Sequence, residues 1–395
     1  MVIEIDKGVT LDQLDAYYDR LNRAGEVDAA VDLLLPIKLE NHFGGLVPAL
    51  LQFVITWSRY KNPGRLRLDI NNPQQINFKE LVENELLFPA ITLIWFKCEI
   101  YNRTGEIDLR LFLKDPLSDI RDLMLKARPM KGQKLLLVSI DHFPFNSGGL
   151  PVFENADSFI DNEANTMRNL KPALESILSF SQEAKREFAL FGADFIKIIH
   201  ELFKNTYEWA RTDYNNVAIN PGIRGILVKF FKKRRQSLLH EYKWHTGLRQ
   251  FFESNVHIEN QQEELYFVEI SVFDSGAGFI EKFESVDKNK ITDIEIIKRC
   301  LMLHMTSAKG LEKDVKGVGL DKVLQILSKK GLIRIKTNSR CVYRNMISHP
   351  YVSVDKEQDL DLFDWKNNSL TNFTTLHKAV GACVTILYPL STKAR

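Results

Sequence analysis

Four cysteines in 395 residues, Cys98, Cys300, Cys341 and Cys383, stand far apart without CxxC spacing. That pattern supplies neither a zinc ligand set nor a disulfide framework. Buried small hydrophobes in a reducing compartment are the expectation. Long apolar runs are also missing. The two longest, Leu46–Trp57 and Leu86–Phe96, fall short of the ~18 residues that span a bilayer, and each contains a proline. The start, MVIEIDKG, lacks the basic, apolar and small-residue order of a signal peptide, so a cytoplasmic location without membrane attachment is expected. Charge of one sign is absent too. With 53 Lys and Arg against 51 Asp and Glu, the net formal charge is +2. No global basic excess therefore calls for nucleic acid. There is no internal repeat or low-complexity tract. A hydrophobic share of 45% excludes a disordered chain.

At ~150 residues per domain the length predicts two or three domains. Residues 8–24 read as a short helix capped by Thr10, with Leu11, Leu14, Tyr18 and Leu21 on one face. The chain then alternates: strand at Val31–Lys38, apolar helix at Gly45–Tyr60, strand at Arg65–Ile70, helix at Phe78–Phe96 broken near Pro89, strand at Lys134–Ile140. This alternation predicts a small N-terminal α/β layer over 1–150, bounded by Asn146–Pro151. A long helical stretch from about 164 to 210 follows. Strands at Ile223–Phe231, Leu265–Phe273, Leu332–Lys336 and Cys383–Tyr388 then predict an α+β unit over 160–395, with insertions near 232–262 and 344–377.

Four segments of that second unit carry chemistry. In FIKIIHELFKNTYEWA, Phe195, Ile198, Leu202 and Trp209 form a packing stripe, while Glu201, Asn205 and Glu208 share a polar stripe at i, i+4 and i+7. A carboxylate there can deprotonate a hydroxyl or water, and an amide oxygen can join an octahedral magnesium. A solvated helix face is the ordinary alternative. In YFVEISVFDSGAGF an alternating strand ends at Asp274, followed by Gly276 and Gly278. An acceptor carboxylate beside a glycine-lined floor fits a purine amine; a plain turn has the same composition. In HMTSAKGLEKDVKGVGLDKVLQIL, Gly317, Val318 and Gly319 lead into a helix near Leu320, a phosphate-friendly helix start. Thr306, Ser307 and Lys309 lie just upstream, and 310–316 read as a charged cover. The fourth segment is GACVTILYPL, a strand containing Thr385.

Together, and in this order, the four segments resemble the N, G1, G2 and G3 boxes of the GHKL superfamily: gyrase-type topoisomerases, heat-shock chaperones, histidine kinases and mismatch-repair ATPases. The resemblance covers roughly 165–390, with Ala382 where the family often has Thr. It implies a Bergerat two-layer α/β sandwich, one mixed sheet backed by helices, that binds ATP with Mg2+. By that resemblance Glu201 is the general base and Asn205 the magnesium ligand. Glu208 belongs to the same box, Asp274 reads adenine, and Gly276 and Gly278 floor the pocket. Gly317, Val318, Gly319 and Leu320 hold phosphates together with Thr306, Ser307 and Lys309, and Thr385 completes the set. The N-terminal region is similar to STAS modules that precede some bacterial GHKL domains.

The implied activity is an Mg-dependent ATPase that works as a nucleotide-driven switch, with a protein partner or a homodimer. Two alternatives remain open at this stage: a serine/threonine kinase of the anti-sigma-factor type, and an ATP-responsive module without turnover. No histidine has the context of a phosphoacceptor, and His200 reads as a packing residue. Cations and aromatics between Lys229 and Arg249, including Lys232, Lys233, Tyr242 and Trp244, suit nucleic acid or a solvated face, with the solvated face favoured. The aspartates of 344–377 have no metal-site spacing.

Overall fold

A computed structural model describes residues 1–141, 148–155, 158–179, 181–283, 291–302, 319–354 and 356–390. In chain order the first elements are β1 (Val2–Glu4), α1 (Leu14–Glu26), β2 (Val31–Leu35), α2 (Leu46–Ser58), β3 (Pro63–Leu68), α3 (Phe78–Val82), α4 (Leu87–Ile94), β4 (Ile100–Tyr101) and α5 (Arg110–Leu125). The expected capping residue Thr10 sits in a capping box with Gln13, on a short 3-10 turn that leads into α1. The four strands pair in parallel in the order β1-β2-β3-β4, as strands alternating with helices require. The helix predicted at 78–96 breaks earlier than Pro89, between Val82 and Leu87. Pro89 stands in the first turn of α4, where its missing N–H costs no hydrogen bond.

The chain continues with β5 (Lys134–Asp141), α6 (Glu163–Leu178), α7 (Gln182–Trp209), β6 (Gly222–Arg234), α8 (Arg235–Glu241), α9 (Thr246–Glu253), β7 (Glu264–Asp274), α10 (Gly278–Lys282), α11 (Asp293–Leu301), α12 (Gly319–Leu327), β8 (Leu332–Asn338), β9 (Arg340–Asn345), β10 (Phe363–Asp364) and β11 (Ala379–Pro389). Seven strands form the larger sheet in the order β10-β9-β8-β11-β7-β6-β5. Every neighbouring pair is antiparallel, so the expected mixed sheet is corrected to an antiparallel one. β5 precedes the segment 146–151, yet it pairs along its whole length with β6 as an edge of this sheet.

The two-layer expectation is also corrected, because the sheet is covered on both faces. α7 packs on β6 and β7 from one side, while α2 packs on β7 and β11 from the other. α2 shows why. Its sequence LVPALLQFVITWS is apolar all round, and every residue but Thr56 is buried, as expected of a helix with packed neighbours on all sides. Each large apolar side chain so buried contributes about 1.5–3 kcal/mol. β7 is correspondingly buried on both faces, and its rear-facing Glu269 accepts a hydrogen bond from the Gly44 N–H at 2.8 Å.

A second tie between the N-terminal region and the sheet is ionic. Glu85, just before α4, pairs with Lys134 of β5 at 2.5 Å and with Lys229 of β6 at 2.6 Å. Burial raises the carboxyl's pKa, but the two ammonium groups outweigh it and hold the group at about 2. A depressed carboxylate contributes stability above its unfolded pKa, and that contribution fades as pH falls toward the folded value. Glu85→Gln is thus expected to lower stability by roughly 3 kcal/mol at pH 7. Denaturant melts should show this gap closing between pH 4.5 and about 2.

The insertion 232–262 is more structured than its polarity implies. α8 and α9 bury Leu238, Leu248, Phe251 and Phe252, and Phe231 stacks on Phe43 at 3.7 Å. Four of its six cations meet acids: Lys232 with Glu264, Lys233 with Glu241, Arg235 with Glu259 and Arg249 with Glu253. Aromatics used for packing, and four of the cations already paired, weaken the pattern that stacks bases and neutralises phosphates. In the second insertion Asp364 is buried, not solvated: its carboxylate accepts from the backbone of Lys366, Asn367 and Thr374.

Candidate functional site

Three of the four sequence segments described above, together with the first turn of α12, open onto one cleft on the α7 side of the sheet. Its walls include Asn205 and Glu208 of α7, Val272 and Asp274 of β7, Gly278 and Phe279 of α10, Gly319 and Leu320 of α12, and Ala382 and Val384 of β11. It encloses about 970 Å3 including its open mouth. The lining is mainly apolar with a few polar groups, the usual pattern of a small-molecule site.

The polar groups come from predictable places. Strand parity puts Asp274 on the face of Val272, toward α7, and the carboxylate emerges where β7 ends. Its Oδ1 accepts hydrogen bonds from Gly276 N–H at 2.8 Å and Ala382 N–H at 3.2 Å. Hydrogen bonding to a ligand therefore falls to Oδ2. Burial raises this carboxyl's pKa to about 6. Asn205 stands about one turn before the end of α7, and its side-chain nitrogen is buried without a hydrogen-bond partner. Such an orphan is uncommon and marks an amide not committed to the fold.

Glu201, one turn earlier, does not line the cleft itself; it stands behind Gly319, which does. Its Oε1 is 3.5 Å from Lys322 Nζ, and its Oε2 would lie 2.4 Å from a Cβ added at Gly319. The start of α12 can approach α7 this closely only with glycine there. His200, next to it, packs as expected: it is buried and its Nδ1 is 2.9 Å from Thr166 Oγ1. Cys300 also lines the cleft, but burial pushes its thiol up to about 12, so it is no nucleophile.

The glycines do different jobs. Gly278 has φ +75°, and a Cβ there would meet Asn338 Oδ1 at 2.5 Å. Gly276 packs against the end of α7 instead of flooring the cleft: its added Cβ would lie 2.6 Å from Ala210 Cα. Thr385 is not brought to the cleft at all. In register Val384 pairs with Val272, and Thr385 with Ser271, so Thr385 faces the rear and bonds Ser271 Oγ at 3.1 Å. Thr306, Ser307, Lys309, Gly317 and Val318 lie outside the described residues.

Sequence reasoning missed the clamps behind the site. Thr337 and Asn338, at the end of β8, accept from the N–H groups of Phe279 and Ile280, and Asn338 donates to the Ala277 carbonyl. These bonds fix the turn after Asp274. Arg224, the β6 partner of Asp274, is fully buried and bidentate to Asp141, with Glu154 at 2.8 Å and Ser139 Oγ at 3.0 Å. An arginine inside a strand was the available signal, but its partners lie 83 and 70 residues away. No family model, curated protein or solved structure matches the chain. Among the described residues no cluster of three or more His, Cys, Asp or Glu side chains has metal-site geometry, and no helix is long and apolar enough to cross a membrane.

Proposed function

We propose that the cleft binds an adenine nucleotide and that the chain is a GHKL-type, Mg-dependent ATPase acting as a nucleotide-driven switch. The convergence of Asn205, Glu208, Asp274, Gly278, Gly319 and Leu320 on one cleft carries this reading, because those residues are dispersed over more than 100 positions of sequence. Asp274 Oδ2 accepts from the exocyclic amine of adenine, and the apolar walls hold the ring. The start of α12 offers backbone N–H groups and a positive dipole end to phosphate oxygens.

The residues present fit a magnesium ion. Asn205 lines the cleft and would hold the ion through its amide oxygen, and a magnesium that keeps its waters and phosphate oxygens needs few protein ligands. When bound, the ion supplies charge neutralisation at the phosphates. Glu201 orients a water and takes its proton as that oxygen attacks the γ-phosphorus, and ADP leaves with the bridging oxygen. The N-terminal layer serves in this account as a STAS-like regulatory module. It touches the site's frame through Gln52, whose Nε2 donates to the carbonyls of Lys336 and Gly381, and through Thr56, which accepts from the Val380 N–H.

Asp274→Asn tests the adenine contact. Asparagine keeps an acceptor for the Gly276 and Ala382 amides, so the fold survives and the ligand contact changes. Loss of a hydrogen bond to a charged group costs about 1.5–3 kcal/mol, so nucleotide affinity should fall about tenfold or more. In the wild type, affinity should also fall as pH drops through about 6, where Asp274 takes up a proton; the Asn variant should show no such drop. Unchanged affinity in a folded Asp274→Asn variant removes the assignment.

A further inference from the structure

The rear face of the larger sheet holds a second, narrower cleft, closed over by the N-terminal layer. Asp15 and Tyr18 of α1, Gln52 of α2, Arg334 and Lys336 of β8, and Trp365 are among its walls, and it encloses about 360 Å3 including its mouth. Arg334 and Lys336 are two residues apart on a strand, so both leave the sheet on the same side. They pair in register with Thr385 and Cys383, which lie on the face turned away from Asp274. Each is about nineteen-twentieths buried.

Neither cation has a carboxylate at ion-pair distance among the described residues. Asp15, the acid in the wall, is already paired with Lys366 at 2.5 Å. Lys336 Nζ donates to the carbonyls of Asn338 at 2.8 Å and His377 at 3.3 Å, which leaves one N–H. The Arg334 guanidinium lies 4.6 Å from the Trp365 ring centre, and its Nε and Nη1 are buried without a hydrogen-bond partner. The neighbouring Cys341 thiol is only a weak acceptor. Gln52 Oε1, an acceptor on the opposite wall, is buried and unpartnered too. Two adjacent buried cations with no carboxylate in direct contact, the nearby Asp15 being held by Lys366, are what folded chains avoid. A guanidinium fork beside an ammonium is the arrangement that binds carboxylate, phosphate or sulfate oxygens. Burial holds Lys336 down to about 8, a shift that a bound anion opposes.

We propose that this rear cleft is a binding site for a small oxyanion, with Arg334 and Lys336 as its charged donors and Gln52 as acceptor for a protonated oxygen. The space is too narrow for a nucleotide, so the ligand is of the size of phosphate, sulfate or a short carboxylate. Because the walls come from both the N-terminal layer and the sheet, the anion joins the two. The site stands independently of the nucleotide reading, since it shares no lining residue with the front cleft.

The test is calorimetry on the full chain with inorganic phosphate, sulfate and acetate, each at constant ionic strength, with a thermal melt beside it. The proposal expects saturable binding of at least one of them and a saturable rise in melting temperature. Arg334→Gln and Lys336→Met should each weaken binding at least tenfold, and Asn205→Ala in the front cleft should leave it unchanged. If Arg334→Gln fails to fold, Arg334→Lys, which keeps the charge but loses the fork, should also bind at least tenfold more weakly. The ranking of phosphate, sulfate and acetate identifies the oxyanion class. No saturable binding of any of the three overturns the site. So does affinity that survives in folded Arg334 and Lys336 variants, or that disappears with Asn205→Ala.

Discussion

Glu201→Ala is expected to lower ATP turnover about 100- to 10,000-fold, the span attributed to a positioned general base, while nucleotide affinity stays within about threefold of the wild type. The separation follows from placement. Glu201 sits at the start of α12, against Gly319 and Lys322, where phosphates are expected, and not beside Asp274, where adenine is expected. The variant should fold, because among the described residues the side chain's one ion pair is at 3.5 Å with a lysine that is about a third exposed, and such long pairs are worth little. Full turnover in a folded variant would remove Glu201 as the base. Phosphate transferred to a protein instead of released to water would redirect the same residue to activating a hydroxyl.

Arg224→Met is expected to be the most damaging single change to the fold. It removes the fully buried cation that joins Asp141 to Glu154 and, among the described residues, leaves Asp141 only its longer contact to Arg211, at 3.5 Å. Breaking a buried pair by deleting one partner costs about 3–5 kcal/mol. The side chain also lies 5.4 Å from the ring centres of Phe203 and Tyr207 on α7, so packing is lost with the charge. A functional effect should accompany the loss of stability. Arg224 is the cross-strand partner of Asp274 and one of the groups that hold its carboxyl down against burial. Without it, the pH below which nucleotide affinity falls should move above about 6. Denaturant melts and a pH series of affinity measure both; a change below about 1 kcal/mol would show that the cluster is not the strut described.

Much of the site was legible in the sequence because its signals are local. Alternation from Tyr266 to Asp274 fixed which face the carboxylate takes, and helical spacing joined Asn205 to Glu208. Thr385 was misplaced because the register of β11 decides its face. That register shifts between Ala379 and Ala382, around Gly381 at φ +75°, which no local pattern reveals. Gly276 looked like a pocket glycine because its true neighbour, Ala210, is 66 residues distant. The membership of β5 in the larger sheet and the partners of Arg224 are likewise long-range facts. The acid partners of the cations in 232–262 are nearer in sequence, but a charge run alone does not say whether it is exposed or paired. The cover on the rear face could be read only in part: α2 announces by its uniform hydrophobicity that it is buried, but not between which layers.

The most direct test of the central claim is calorimetric titration of the wild-type chain with ATP, ADP and GTP in the presence of magnesium. The account predicts saturable one-to-one binding of ATP and ADP. GTP should bind at least about tenfold more weakly, since guanine turns a carbonyl oxygen, an acceptor, toward the Asp274 carboxylate. Absence of saturable ATP binding, or equal affinity for ATP and GTP, would contradict it.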